Sequence, residues 1–303
     1  MFIRPIHFIP ANTKIDFVAK RWWAFSVTII LVLITIGALF EKGLNLGIDF
    51  KGGILIEAQA PDTVDVAALR GKLDGLGLGE IALQQFGSPK DVLIRIQRQE
   101  GDEAAQTKAI QQVRDTLGTT YEYRRVEVVG PTVGAELLHA GILATILAIG
   151  AISLWVAVRF EWQFGLAAMI ATLHDVFVTV GFYAVLQLDF NLTAVAALLT
   201  LAGYSINDTV VVFDRIRETL RRQKATDLRA VINDAVNQTL SRTTMTAGTT
   251  LLALLPLVYM GGPTLINFSA ALTWGILVGT YSSIYVAAAL LLYMPSLKRI
   301  EKK

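Results

Sequence analysis

The chain contains no cysteine. Disulfides, thiolate metal centres and thiol catalysis are excluded, and any exported portion must hold together by its core alone. Histidine is scarce, with three in 303 residues, so no metal site is expected. Charge is sparse as well: 17% of residues are charged and the net balance is +2. That leaves no basic footprint for nucleic acid. What is abundant is apolar surface. Hydrophobic residues make up 53% of the chain, and the mean hydropathy is +0.52, higher than soluble domains usually reach.

The apolar residues cluster into six runs: 22–40, 137–158, 164–186, 191–213, 243–260 and 268–293. Each is long enough for a helix to cross a hydrocarbon core of about 30 Å. The start, MFIRPIHFIPANTKIDFVAKR, does not read as a signal peptide. The run after it has no small-residue cleavage site, so it is expected to stay as an anchor.

Short cytoplasmic loops collect Lys and Arg. Basic residues lie before the first run (Arg4, Lys14, Lys20, Arg21), between the second and third (Arg159) and after the fourth (Arg215, Arg217, Arg221, Arg222, Lys224, Arg229). More close the chain (Lys298, Arg299, Lys302, Lys303), whereas the short connections Gln187–Phe190 and Gly261–Asn267 have none. This places the segments 1–21 and 294–303, and hence both termini, in the cytoplasm, and 41–136 outside.

The segment 41–136 reads β-α-β-β-α-β. Strands are expected at Ile54–Ala60, Ile81–Phe86, Val92–Gln97 and Tyr121–Val129, and helices at Thr63–Leu76, capped by Asp62 or Thr63, and Glu103–Leu117. Gly87–Pro89 reads as a turn. The order is that of a ferredoxin-like α+β sandwich. The fold class is therefore a polytopic α-helical membrane protein with six transmembrane helices and one ferredoxin-like periplasmic domain inserted between the first and second. That domain carries no catalytic triad, metal cluster or Walker-type loop, so it reads as a binding or lever domain, and neither enzymatic activity nor a cofactor is expected. Two glycine-bearing segments flank it, Leu44–Gly53 and Val129–Gly134, as plain connectors or as hinges. The segment 214–241 is basic and helical, and its apolar stripe (Leu228, Val231, Ile232, Ala235, Val236, Leu240) suggests that it lies along the lipid surface, with a face for a soluble partner as the competing view.

Polar residues inside the apolar runs need a reason. An ionisable group in mid-membrane costs about 2.5–3.5 kcal/mol on insertion scales. Asp208 lies in the fourth run, about 7–8 Å from its cytoplasmic end at 1.5 Å per residue. Arg242 opens the fifth from the same face and is long enough to reach that depth. One reading is structural, with Arg242 snorkelling to the headgroups and Asp208 pairing or capping a bend. The other is a proton site in which burial favours the neutral acid and Arg242 the carboxylate. Asn207, Asp175, His174 and Thr243 are supporting polar candidates. Adjacent His174 and Asp175 point about 100° apart on a helix, which argues against a shared metal. In the sixth run Ala271, Gly275, Gly279, Ser283 and Ala287 recur every fourth residue, a spacing for close helix contact within the chain or with a partner.

The segments GIDFKGG (47–53), VGPTVG (129–134), RFEWQFGLAAMIATLHD (159–175), GYSINDTVVVFDRIRE (203–218), QTLSRTTMTAGTT (238–250) and GGP (261–263) together resemble the SecF family. These are smaller membrane subunits of bacterial SecDF protein-export complexes, within the resistance-nodulation-division superfamily. The resemblance implies residence in the bacterial inner membrane and a complex with SecD, which supplies six further spans and another acidic residue of the pathway. It implies association with the SecYEG translocon, action on unfolded preproteins, and coupling to the proton-motive force. It carries the family's proton-pathway aspartate to Asp208 and its functional arginine to Arg242. The competing readings are a stand-alone proton-coupled small-molecule antiporter and a non-conducting translocon scaffold. A small outer domain offers little room for a drug-sized cavity, and the intramembrane acid and base argue against a pure scaffold. Proton and sodium remain alternatives as coupling ion.

Overall fold

The structure is a computed structural model describing residues 13–101, 103–222 and 227–295. Arg4, Lys224 and the four basic residues of the tail lie outside the described residues.

Among the described residues, six helices are long and apolar enough to cross a membrane: α1 (Arg21–Glu41), α5 (Pro131–Arg159), α6 (Trp162–Leu186), α7 (Leu192–Arg222), α8 (Leu228–Met260) and α9 (Pro263–Ser282). The last continues through a π-helical turn (Ser283–Ala287), an α-helical turn α10 (Ala288–Leu290) and a 3₁₀ turn (Leu291–Tyr293). Burial sorts the six. The α9 and α6 spans are 67% and 56% buried, whereas α1 is only 11% and α8 only 17%. The outer helices turn Ile29, Leu33, Leu252 and Tyr259 outward. A helix that is apolar on its exposed face as well as its packed face is suited to lipid.

Between α1 and α5 lies a four-stranded antiparallel sheet in the order β2-β3-β1-β4. Its strands are β1 (Gly53–Gln59), β2 (Ile81–Phe86), β3 (Ser88–Ile96) and β4 (Glu122–Val129), and α3 (Val66–Asp74) and α4 (Glu103–Leu117) connect them. Alternation puts Ile54, Ile56 and Ala58 of β1 and Val92, Ile94 and Ile96 of β3 on one face, where they meet Leu69 and Leu73 of α3 and Ala109 and Val113 of α4. Each fully buried Ile contributes about 1.5–3 kcal/mol. Two local expectations are corrected. The α3 cap is Asp65, whose Oδ1 accepts from the amides of Ala67 and Ala68 at 3.0 Å, because the helix begins three residues later than the apolar spacing suggests. The Gly-Ser-Pro turn narrows to Gly87, and Ser88 and Pro89 already belong to β3. Proline is tolerated at the start of a strand, where a missing N–H costs least.

The flanking glycine segments pack on each other. A short helix, α2 (Ile48–Lys51), follows Gly47, and a Cβ at Gly134 would lie 2.8 Å from the Phe50 carbonyl oxygen. Only glycine lets α5 begin so close to α2. The Gly47 amide donates to Phe190 O at 2.8 Å, and the Phe190 amide to Asn45 O at 2.8 Å, which joins the head linker to the α6–α7 loop. At the opposite end, 214–241 departs from the surface-helix expectation. Its two parts continue α7 and α8, and Val231, Ile232, Ala235 and Val236 are buried against Val212, Phe213, Ile216, Phe17 and Val18. An apolar stripe that finds this cover has no need of a lipid surface.

Candidate functional site

The α7 sequence GYSINDT stands in the middle of the bundle. Asp208 is 3% exposed, and its Oδ2 is buried with no hydrogen-bond partner. Among the described residues no ion pair within 4.0 Å joins it to Arg242. Arg242 lies on the exposed face of α8, yet within electrostatic reach of the carboxylate. Tyr204, one turn earlier on α7, stands near both Thr250 and Asp208. Asn207 points away from this interior, as adjacent helix positions must, into an outer groove with Ile152 and Trp155. Thr243 is buried but donates to its own helix, to Thr239 O at 3.2 Å. Thr246, Thr249 and Thr250 do the same four residues back. This satisfies their hydroxyls locally, whereas Asp208 Oδ2 and the Tyr204 hydroxyl are buried without a hydrogen-bond partner among the described residues.

A second polar group lies between α6, α7 and α9. Asp175 is wholly buried. Its Oδ1 is 2.9 Å from His174 Nδ1. Its Oδ2 accepts from Ser205 Oγ on α7 at 2.5 Å and Ser282 Oγ on α9 at 2.7 Å. Helical geometry separates the Cβ atoms of residues 174 and 175, but the imidazole and carboxylate are long enough to close the gap. Next to this cluster, Thr209 Oγ1 and Ser283 Oγ share a hydrogen bond of 2.9 Å. Among the described residues no group of three His, Asp or Glu is placed to hold a metal. The small-residue stripe of the sixth span is used inside the chain. A Cβ at Gly275 would lie 2.5 Å from Leu201 Cδ2, and one at Gly279 would lie 3.4 Å from Asp175 Oδ2 and from Ser205 Cβ. The sequence reading missed Ser205, Thr209 and Ser282 and gave Ser283 only a packing role. Serine and threonine are common in helices, and the signal available was only that Ser205 and Thr209 bracket Asp208 on one face.

Asp49, to which the sequence assigned no chemistry, accepts from the Leu192 amide at 2.9 Å and so caps the N-terminal end of α7. Nearby, Asp189 pairs with Arg95 of β3 and accepts from Asn45 Nδ2 at 3.0 Å. The helix that bears Asp208 is thus held at its N-terminal end by the linker to the head.

A family model described as protein export membrane protein SecD/SecF, C-terminal, matches residues 109–296, and one for the SecD/SecF GG motif matches 37–60. The protein translocase subunit SecF of Rickettsia bellii is 42% identical over 306 residues, covering all of both chains. A crystal structure of SecDF, a translocon-associated membrane protein from Thermus thermophilus, is 36% identical with a TM-score of 0.84 over 96% of this chain. A structure of SecDF in a super-membrane-facing form matches over the same share at a TM-score of 0.69. The chain spans 40% of the length of each of these SecDF chains. The relatives are named for a translocase subunit, a membrane component and not an enzyme. The chain is a multi-pass membrane protein and belongs to the SecF branch of the SecD/SecF protein-export membrane protein family.

Proposed function

We propose that this chain is the smaller membrane subunit of a SecDF-type export complex, and that Asp208 with Arg242 couples the proton-motive force to late-stage movement of preproteins. The observation that carries this reading is the unsatisfied carboxylate of Asp208, buried in an apolar span within reach of an unpaired-to-it guanidinium. An intramembrane acid without a permanent partner is suited to gaining and losing an ion. A nearby arginine whose distance changes would alter its affinity. Each elementary charge crossing the membrane supplies about 2.3 kcal/mol per 100 mV.

A partner is part of this reading. The chain corresponds to 40% of the matched SecDF chains, and a SecD subunit supplies the remaining spans and further acidic groups. The SecYEG translocon and unfolded preproteins are the expected partners beyond it. The βαββαβ head, with its β2-β3-β1-β4 sheet, is read as a ferredoxin-like domain on the periplasmic face. Supporting this orientation, Arg217 donates to the Arg159 carbonyl, so the basic α5–α6 and α7–α8 ends share one side of the bundle. The head linker and the α6–α7 loop share the other. On this reading the membrane is the bacterial inner membrane and both termini are cytoplasmic.

The test is export driven by an imposed gradient, in vesicles holding this chain, its SecD partner and the translocon. Asp208→Asn should abolish gradient-dependent stimulation while the complex still assembles. Running H⁺ and Na⁺ gradients in parallel identifies the ion. Undiminished stimulation in Asp208→Asn sinks the assignment.

A further inference from the structure

The buried cluster around Asp175 has no part in carrying the ion as described, yet it is built around the turn of α7 that bears Asp208. Ser205 lies three residues before Asp208 and donates to Asp175. Thr209, the residue after Asp208, bonds to Ser283, and its neighbour Ser282 donates to the same Asp175 oxygen as Ser205. The two serines are consecutive, and in an α-helix they would diverge by about 100°. Here they straddle the start of the π-helical turn Ser283–Ala287, and each finds a different partner, Asp175 for Ser282 and Thr209 for Ser283. Gly279 faces the pair, and a Cβ there would meet both Asp175 Oδ2 and Ser205 Cβ at an ordinary contact distance of 3.4 Å.

We propose that Asp175 is a positioning residue for Asp208: through Ser205 and Ser282 it fixes the rotation and depth of the α7 turn that carries the ion-coupling carboxylate. The proposal rests on the reading of Asp208 given above and adds residues of α6 and α9 to it. An Asp175 oxygen that accepts a hydroxyl from α7 and another next to the π-helical turn ties the two helices together at one point in a site closed to water. The titratable and charged groups around the two acids are His174 on α6, Tyr204 on α7 and Arg242 on α8. From α9 come the hydroxyls, and Tyr281 turns instead to α1, where it donates to the Ala24 carbonyl.

A readout of Asp208 itself separates positioning from mere stability. Dicyclohexylcarbodiimide modifies protonated carboxyls in apolar surroundings, and its adduct on Asp208 can be followed by peptide mass spectrometry across pH, in membranes holding the assembled complex. In Asp175→Asn and in Ser205→Ala the labelling midpoint of Asp208 should move by at least about half a pH unit at unchanged complex yield. Ser282 also has the Gly279 carbonyl as acceptor at 3.1 Å, so Asp175→Asn leaves its hydroxyl satisfied. Ser282→Ala is the milder third variant and should move the midpoint in the same direction. Midpoints equal to wild type in the variants that assemble overturn the proposal. Failure of the underlying reading looks different: Asp208→Asn would retain gradient-driven export whatever the labelling midpoints do.

Discussion

The attachment of the head to the bundle lends itself to a quantitative prediction. Arg95 on β3 and Asp189 in the α6–α7 loop pair with side chains only 15% and 11% exposed. Burial pushes the Asp189 carboxyl above its ordinary range, and Arg95 only partly offsets that. The pair as a whole therefore adds little net stability, but either partner left alone is a nearly buried, uncompensated charge. Breaking a fully buried pair costs about 3–5 kcal/mol. With the residual exposure here we expect about 2 kcal/mol for Asp189→Ala and for Arg95→Ala, and the double variant should be no worse than the poorer single. The assay is hydrogen exchange at the amides of Gly47 and Phe190, which bridge linker and loop at 2.8 Å. Local opening that is easier by about 2 kcal/mol speeds their exchange roughly 30-fold. The pH sign follows from the raised folded value. The folded state holds more protons than the unfolded chain above pH 3.8, so attachment weakens as pH rises through that folded value. Single variants exchanging within about threefold of wild type, or a double variant with additive losses, would refute the reasoning.

Two further outcomes follow from other contacts. Gly165→Ala would put a Cβ 2.5 Å from Ala157 Cβ at the α5–α6 crossing, and overpacking of this kind costs about 1–3 kcal/mol. Thermal unfolding in detergent should show it, with Gly150→Ala, whose added Cβ meets nothing within 4 Å, unchanged as the control. Asp16 ties the N-terminal segment to α8 by accepting from the Ala19 amide at 2.9 Å and from Asn233 Nδ2 at 2.8 Å. These bonds hold its carboxyl below the ordinary 3.8. Its contribution is present above that value and lost as pH falls through the lower folded one. Proteolysis at exposed Lys14 and Lys20 should therefore accelerate in Asp16→Asn at neutral pH. A protease pattern identical to wild type would count against the tie.

The relation between sequence and structure differs from element to element. The order of strands and helices in the head was readable, with element ends off by up to four residues. Ile54, Ile56 and Ala58 face one core, and alternation at period two has one interpretation when a single face is buried. The helical segment 214–241 was misplaced for the opposite reason. Its stripe at Val231, Ile232 and Val236 is equally consistent with a lipid surface and with a protein neighbour, and only the proximity of Phe213, Ile216 and Phe17 selects between them. Asp49 stood in the sequence without a role because its partner, the Leu192 amide, is 143 positions away.

The amino-acid sequence alone determined that this chain crosses a membrane, that six of its stretches are long and apolar enough to do so, and that Asp208 and Arg242 are out of place in apolar runs. Those are consequences of composition over some twenty residues, and hydrocarbon imposes them locally. The tertiary structure decided which polar residues meet. Asp175 is bound by serines thirty and 107 positions away, while Asp208 and Arg242 lie within electrostatic reach but unpaired. No local pattern encodes such pairings, because the residues are brought together by helix crossings that depend on glycines and small side chains in other spans.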